Sequence, residues 1–258
     1  MPPSPPEPLS TRTRLRSFPW PPLCLSPSHH PPTLPIPCQA QYCSRYSSWD
    51  AITAHAYNGL DALRPILDAP GSLKGVFAIV FTSNPSRVDF ELAPTLTPAG
   101  QTKLASGEPL GSSDISPLYQ LVAHKLVDWD RTYPGRVGAV VGGTRNANGE
   151  LDELKAVMRI FMRGARRILP TLIPGVGTQG GTMAEVVTAI VDVLLEFGLN
   201  EAAVRREMRK VIVNSSSAID FAKVPIAAAS AMADEGQAAI DECLAPPTLT
   251  PGAKRRKA

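Results

Sequence analysis

The chain has little net charge and no long apolar run. Its 258 residues carry a formal charge of only +3, which is too small to indicate a nucleic-acid partner. The basic residues are scattered except at 254–257, which we interpret as a solvated terminus, with a weak nuclear address as the alternative. The apolar stretches have the length of strands and are too short to cross a bilayer. The sequence therefore predicts neither nucleic-acid nor membrane binding.

The chain also lacks paired cysteines. Its four thiols are Cys24, Cys38, Cys43 and Cys243. They include no CxxC pair, and no histidine lies at the spacing of a zinc ligand. A disulfide framework is not expected in a chain of this length, and reduced thiols are typical of the cytosol. We therefore expect a cytoplasmic protein without a metal site or a disulfide.

Proline marks a boundary near residue 38. Residues 1–37 hold 13 of the 27 prolines, and proline fixes φ and removes a backbone donor. We therefore predict that 1–37 is a disordered segment and that the folded part spans 38–223. Residues 224–258 are predicted to begin as an alanine-rich helix and to end as a disordered basic tail.

Within the folded part, apolar runs of strand length alternate with amphipathic helical stretches. Strands are predicted at about 50–56, 75–82, 136–141, 168–173 and 211–214. Helices are predicted within 59–67, 117–133, 150–162, 182–198 and 200–210, and a loop is predicted at 93–117. Strict alternation favours an α/β fold with a parallel sheet and helical crossovers.

Each predicted strand ends in a polar or glycine-rich turn, and the last two turns read PGVGTQGGT and NSSSA. In a (β/α) barrel the functional loops follow the carboxyl ends of the strands, and the last two commonly form a phosphate site. The glycines at 175, 177, 180 and 181 are expected to direct backbone N–H groups at phosphate, and Gln179 adds an amide donor. The alternative is that these glycines only turn the chain.

Other polar residues near strand ends are weaker candidates. Ser83 and Asn84 are interpreted as ligand contacts or as turn caps. His55 is a candidate base or ligand, with an ordinary hydrogen-bonding role as the alternative. Asp61 is interpreted as a helix-start residue, and Lys74, at the amino end of a strand, as structural. No second histidine, cysteine or acid is spaced to complete a metal site.

Four motifs in fixed order resemble orotidine 5′-phosphate decarboxylase of the bacterial-like type. They read KGVFAIVFTSNPS, GRVGAVVGGT, LIPGVGTQGGT and VIVNSSSAI, and the similarity covers roughly 39–223. The stretch DAITAHAYNGLDALRPIL resembles the fourth strand and following helix of the family, where asparagine usually occupies the place of His55. The resemblance implies a (β/α)8 TIM barrel, usually a homodimer. Such an enzyme converts orotidine monophosphate to UMP and CO2 in pyrimidine biosynthesis, without cofactor or metal.

The resemblance also implies a set of substrate-binding residues. These are Ser83, Gln179, Gly180, Gly181, Ser216 and Ser217. Ser83 would contact the pyrimidine and Gln179 the phosphate. Ser217 stands where the family has its phosphate-binding arginine, and losing that doubly donating cation should weaken phosphate binding.

The catalytic motif of the family is missing from the sequence. In the family, the lysine of a DxKxxD motif after the third strand protonates the carbanion at C6, and the acids press on the departing carboxylate. Residues 27–35, where the motif is expected, read PSHHPPTLP, and no lysine precedes Lys74. We therefore assign no catalytic residue and expect this chain to be inactive as a decarboxylase.

The sequence thus predicts an incomplete barrel of about five parallel strands. Two exposed parallel edges would leave the chain unstable, or dependent on a partner that supplies the missing strands. A truncated or mis-spliced gene product would account for both the proline-rich segment and the absent motif. Two alternatives stay open: a non-catalytic barrel-like module that binds a nucleotide or a partner, and a different phosphate-binding barrel enzyme.

Overall fold

The computed structural model describes residues 50–68, 74–177 and 180–245. Its strands are β1 (Ala51–His55), β2 (Gly75–Phe81), β3 (Pro94–Leu96), β4 (Ile115–Pro117), β5 (Val137–Val141), β6 (Thr171–Pro174) and β7 (Val211–Asn214). Five of them form one parallel sheet in the order β1-β2-β5-β6-β7. The other two, β3 and β4, pair antiparallel. Neighbours in the large sheet follow one another along the chain, as in the wall of a barrel.

Helices connect the parallel strands, as parallel pairing requires. The helices are α1 (Gly59–Leu67), α2 (Pro98–Ser106), α3 (Leu118–Thr132), α4 (Asp152–Ala165), α5 (Met183–Glu196), α6 (Glu201–Met208), α7 (Ser216–Asp220) and α8 (Pro225–Leu244). Of these, α2 lies between β3 and β4, and α7 and α8 follow the last strand. The main core lies between one face of the sheet and the helices that cross it. The central strand β5 is buried along its whole length, which explains its continuous apolar sequence.

The opposite face of the sheet carries a separate, smaller apolar cluster. Its buried members are Ala51, Phe77, Val140 and Leu172, and the partly buried Ile79 and Ile212 pack against them. Each strand of the five-stranded sheet contributes at least one of these residues, because alternate side chains of a strand point to the same face. This face corresponds to the inside of a barrel.

The predicted parallel strands are all observed, and only one of their boundaries differs by more than one residue. Strand β7 and helix α1 have their predicted limits. The strand predicted at 168–173 begins at Thr171 instead. Pro170 has no N–H group and cannot donate to a ladder, and Ile168 donates its N–H to the carboxylate of Glu207 at 2.9 Å. The buried apolar run before Thr171 is therefore packed without being a strand.

The prediction of a loop at 93–117 is wrong, because that segment contains β3, α2 and β4. Helix α2 has clear terminal signals. Thr97 caps it by accepting a hydrogen bond from the N–H of Gly100, Pro98 is its first residue, and Gly107 follows its end with φ of 75°. The helix has few apolar residues, so periodicity did not indicate it.

Several predictions lie outside the described residues, namely the disordered segment 1–37 and the basic end of 224–258. Helix α8 occupies the alanine-rich stretch of the latter. Within the described ranges, no group of three or more His, Cys, Asp or Glu side chains is arranged to hold a metal ion. No helix in the same ranges combines the length and apolar character that a membrane span requires.

Candidate functional site

Four strand-to-helix loops meet at the carboxyl edge of the parallel sheet. The loop after β5 joins both of its neighbours through backbone hydrogen bonds: Gly142 N–H donates to the carbonyl of Phe81, and Gly143 N–H donates to the carbonyl of Pro174, each at 2.7 Å. The loops after β2, β5 and β6 are therefore held side by side. This is the edge at which (β/α) barrels carry their binding sites.

Glycine is required where these loops touch. A Cβ atom on Gly181 would lie 2.0 Å from the carbonyl oxygen of Gly143, and one on Gly142 would lie 2.7 Å from the carbonyl oxygen of Thr82. Neither contact is compatible with a side chain. Part of the glycine content of GGT and PGVGTQGG thus serves the close packing of backbone on backbone.

The glycine loop after β6 satisfies its own N–H groups. Gly177 donates to the carbonyl of Gly181 at 2.8 Å, Gly180 to that of Gly177 at 3.0 Å, and Gly181 to that of Gly175 at 3.3 Å. Three of the four N–H groups expected to face phosphate therefore bond within the loop. These glycines therefore do turn the chain, which is the alternative role expected for them. Phosphate binding by their N–H groups stays a prediction.

The loops after β6 and β7 touch each other. The Ser215 hydroxyl, which is buried, donates to the carbonyl of Val176 at 2.8 Å. A Cβ on Gly177 would lie 3.1 Å from that hydroxyl oxygen and 3.9 Å from Cβ of Ala218. The two loops expected to hold a phosphate group are therefore adjacent.

The individual residues predicted for that group are placed as follows. Gln179 lies outside the described residues. Gly180 and Gly181 directly precede the N-terminal cap of α5, and Ser216 and Ser217 begin the short helix α7. The two ends of the predicted phosphate site thus come together, while the contacts of its side chains remain predictions.

The start of α5 is capped by its own residues. The Thr182 hydroxyl accepts from the N–H of Glu185, and the Glu185 carboxylate accepts from the N–H and hydroxyl of Thr182. Arg145, from the loop after β5, donates Nε–H to the same carboxylate at 3.0 Å. The hydrogen bond from Arg145 lowers the pKa of Glu185, and those from Thr182 lower it further. The TMAE sequence is the T-x-x-E pattern of such a cap and could have indicated it.

The loop after β2 is held by charged side chains. The Glu91 carboxylate accepts from both the N–H and the hydroxyl of Thr82, each at 2.8 Å. The Arg87 guanidinium donates Nη1–H to the carbonyl of Thr82 at 3.3 Å and to the hydroxyl of Thr144. Its Nη2 donates to the carbonyl of Arg145 at 3.4 Å. Thr82 directly precedes Ser83, the predicted pyrimidine contact.

The remaining sequence candidates do not join this group. His55 ends β1 and is exposed, with its ring 6.4 Å from that of Tyr57. Asp61 lies in the first turn of α1. Asn84 donates from its amide to a neighbouring serine hydroxyl at 3.4 Å. Lys74 precedes β2 at the opposite end of the strand, as the sequence indicated.

Sequence reasoning missed Arg87, Glu91, Thr144 and Arg145. The segment from 85 to 92 has neither strand nor helix periodicity, and its charged residues are indistinguishable in sequence from an exposed loop. Only the return of this segment onto the end of β2 brings Arg87 and Glu91 to the site, where Arg87 meets Thr144 and the carbonyl of Arg145 from the loop after β5.

No protein-family model matches the chain. It is 34% identical over 182 residues to orotidine 5′-phosphate decarboxylase of Halobacterium salinarum, and the match covers 70% of this chain and 52% of that protein. It is 35% identical over 213 residues to the same enzyme of Albidiferax ferrireducens, covering 82% and 60% respectively. This chain is a homologue of the orotidine 5′-phosphate decarboxylases. It spans about half the length of the first of these relatives.

Solved structures of orotidine 5′-phosphate decarboxylase relatives match the fold. The UMP synthase of Leishmania donovani is 26% identical with a TM-score of 0.54, covering 80% of this chain and 36% of that one. The OMP decarboxylase of the same organism is 25% identical with a TM-score of 0.51, covering 80% and 63%. The predicted family resemblance and the prediction of an incomplete TIM barrel are thus confirmed.

Proposed function

We propose that this chain binds a pyrimidine nucleoside 5′-monophosphate, orotidine 5′-phosphate or UMP, along the carboxyl edge of the sheet. The contact between the loops after β6 and β7, through Ser215 and Val176, carries the proposal. It supports a phosphate position near these loops, with the base near Ser83 two strands away. Adjacent strands lie about 4.8 Å apart, so the ends of β2 and β6 are separated by about 10 Å. That distance suits the extent of a nucleotide from base to phosphate.

The proposed contacts are the six predicted from the resemblance: Ser83, Gln179, Gly180, Gly181, Ser216 and Ser217. Decarboxylation breaks the bond from C6 to the carboxylate and requires a proton donor for the carbanion that remains. No DxKxxD motif occurs in the 258-residue sequence. We therefore propose binding without turnover for this chain, within a family whose relatives are named for decarboxylating orotidine 5′-phosphate.

Calorimetric titration of the purified chain with UMP tests the binding. We expect saturable binding that weakens about fivefold in Ser83→Ala, the loss of about one neutral hydrogen bond. Ser113→Ala, at an exposed position in the segment between β3 and β4, is the matched control and should bind like the unmodified chain. A flat titration with UMP would refute the proposed site.

A separate assay tests turnover. Orotidine 5′-phosphate is incubated with the chain, and its ultraviolet absorbance is followed over time. A constant absorbance together with UMP binding supports the non-catalytic proposal. A steady decrease that depends on protein concentration shows that the chain decarboxylates its substrate without the motif and overturns that part of the proposal.

We also propose that the chain acts in the cytoplasm and forms a homodimer when its fold is complete. The homodimer is what the resemblance to orotidine 5′-phosphate decarboxylases implies, and the reduced thiols expected from the cysteine pattern support the cytoplasm. Light scattering over a range of protein concentrations measures the assembly. A mass that stays monomeric at the highest concentration, both in this chain and in a chain extended to the length of its relatives, contradicts the dimer.

A further inference from the structure

Two charged side chains form hydrogen bonds to Thr82, the residue directly before Ser83. The Glu91 carboxylate accepts from the N–H and from the hydroxyl of Thr82, and the Arg87 guanidinium donates to the Thr82 carbonyl. Both peptide groups of Thr82 are therefore fixed, including the one that Thr82 shares with Ser83. The first backbone atom of Ser83 thus has little freedom to move along or away from the sheet.

Arg87 also ties this peptide to the neighbouring loop. Its guanidinium donates to the hydroxyl of Thr144, which is buried, and to the carbonyl of Arg145. The same group lies 4.7 Å above the centre of the Phe81 ring, a favourable cation–π arrangement. One planar side chain thereby links the ends of β2 and β5, which a single-point cation could not do in the same way.

The partners of these two charges are neutral. Arg87 donates to two carbonyls and one hydroxyl, and Glu91 accepts from one amide and one hydroxyl. Hydrogen bonds to a charged group are stronger and shorter than those between neutral groups. Because several of these stronger bonds end on backbone groups of Thr82 and Arg145, they restrain the backbone at the ends of β2 and β5.

The Ser83 hydroxyl itself is available to a ligand. Ser83 is partly buried at the end of β2, and no residue in the described parts of the chain hydrogen-bonds its hydroxyl. We propose that Arg87 and Glu91 are positioning residues that fix this hydroxyl for the pyrimidine ring of the nucleotide. The inference rests on the proposed function and adds two residues that contact no ligand themselves.

The test compares two ligands that share a phosphate and differ in the base. UMP and ribose 5-phosphate are titrated into the full chain and into Arg87→Met. We expect the affinity for UMP to fall about fivefold, as in Ser83→Ala, while the affinity for ribose 5-phosphate stays within about twofold. Arg131→Met, which removes an exposed arginine from α3, is the control and should change neither affinity.

Two further variants separate positioning from charge. Arg87→Lys keeps the cation but cannot reach three acceptors from one planar group, so we expect it to bind UMP as weakly as Arg87→Met. In the double variant Ser83→Ala/Arg87→Met, the loss should be no larger than in Ser83→Ala alone, because both changes remove the same contact. Glu91→Ala, which removes the acceptor of the Thr82 N–H and of its hydroxyl, provides an independent disruption of the same peptide should Arg87→Met fold poorly.

The outcomes distinguish the inference from the function on which it depends. If the unmodified chain does not bind UMP, whether or not it binds ribose 5-phosphate, the proposed function fails and the inference fails with it. If the unmodified chain binds UMP but the Arg87 and Glu91 variants bind it equally well, the inference alone is overturned. Equal losses for UMP and ribose 5-phosphate also overturn it, because they indicate a general role in folding.

Discussion

The two ends of the parallel sheet are held differently. Buried carboxylates anchor the amino end, whereas the carboxyl end combines close backbone contacts at glycines with the charged side chains of Arg87 and Glu91. At the amino end, Asp130 accepts from the N–H of Gly135 at 2.9 Å and from Arg167 at 2.6 Å. Glu207, only 5% exposed, accepts from the N–H of Ile168 at 2.9 Å and from Lys210 at 2.7 Å. Each of these acids joins a loop backbone to a cation.

Along β5 and β6 the carboxyl end also depends on backbone contacts between its loops. There Gly142, Gly143 and Gly181 allow carbonyl oxygens of adjacent loops to approach closely. We therefore expect the amino end to serve stability and the carboxyl end to serve the proposed binding as well, as is typical of (β/α) barrels. Changes at one end should therefore affect stability, and changes at the other should affect binding as well.

The largest effect is expected at the amino end. Replacing Glu207 with alanine leaves the buried Ile168 N–H and the ammonium group of Lys210 without their acceptor. Breaking such a buried pair costs about 3–5 kcal/mol. We therefore expect urea denaturation to show a free energy of unfolding that is lower by this amount. UMP affinity of the protein that remains folded should be unchanged.

The control for this substitution lies on the same helix. Glu201, in the first turn of α6, pairs with Arg205 and is largely exposed, so Glu201→Ala should cost about 0.5 kcal/mol or less. Equal losses in the two variants, or weaker UMP binding in Glu207→Ala, would contradict the division between the two ends.

An intermediate effect is expected at the carboxyl end. Gly181→Ala would place a methyl group against the carbonyl of Gly143, and relieving this overlap costs about 2–3 kcal/mol. Because the two loops must separate, the affinity for ribose 5-phosphate should fall as well. Urea denaturation and calorimetry measure the two consequences.

Gly180→Ala is the matched comparison for that substitution. Gly180 has φ of 92° but open space around a Cβ atom, so alanine there costs only the strain of the left-handed region, about 1 kcal/mol. If Gly180→Ala is as destabilising as Gly181→Ala, backbone contact is not the reason for glycine at 181.

The smallest effect concerns the exposed pair between Arg145 and Glu185. Arg145 lowers the pKa of Glu185 from its ordinary value of 4.5, so the pair stabilises the fold above the unfolded-state pKa and the gain is lost as pH falls through the folded-state pKa. Both side chains are more than a third exposed, which limits the gain to about 0.5 kcal/mol. Arg145→Met should therefore raise the pKa of Glu185 in an NMR titration. The free energy of unfolding of Arg145→Met should be lower than that of the unmodified chain at neutral pH, by about 0.5 kcal/mol. In acid, where Glu185 is protonated in both proteins, the two free energies should match.

The sequence was sufficient for those parts of the fold that depend on local pattern. Strand β7 and helix α1 lie where periodicity predicted them, because apolar alternation and helical spacing are properties of neighbouring residues. The observed order of the parallel strands agrees with the predicted incomplete barrel, in which helical crossovers place consecutive strands side by side. Helix α2 was missed because its terminal residues, rather than an apolar face, define it.

The candidate site was predictable only in part. The positions of Ser83, Gly180 and Gly181 at strand ends followed from the strand pattern. The direction of the glycine N–H groups did not, because it depends on which carbonyls the folded loop brings near. The roles of Arg87 and Glu91 depend on a segment that folds back onto β2, and no local signal in the sequence specifies that return.

The contacts of Arg87 have a consequence for how this edge can change in evolution. Two of its three acceptors are peptide carbonyls, which every amino acid supplies. Substitutions at positions 82 and 145 can therefore accumulate without removing these two acceptors, provided that the backbone path is kept. Libraries that vary the residues around Ser83 should therefore keep the two carbonyl contacts of Arg87 whatever residue stands at 82 or 145, and the proposed nucleotide binding should be lost when Arg87 is randomised.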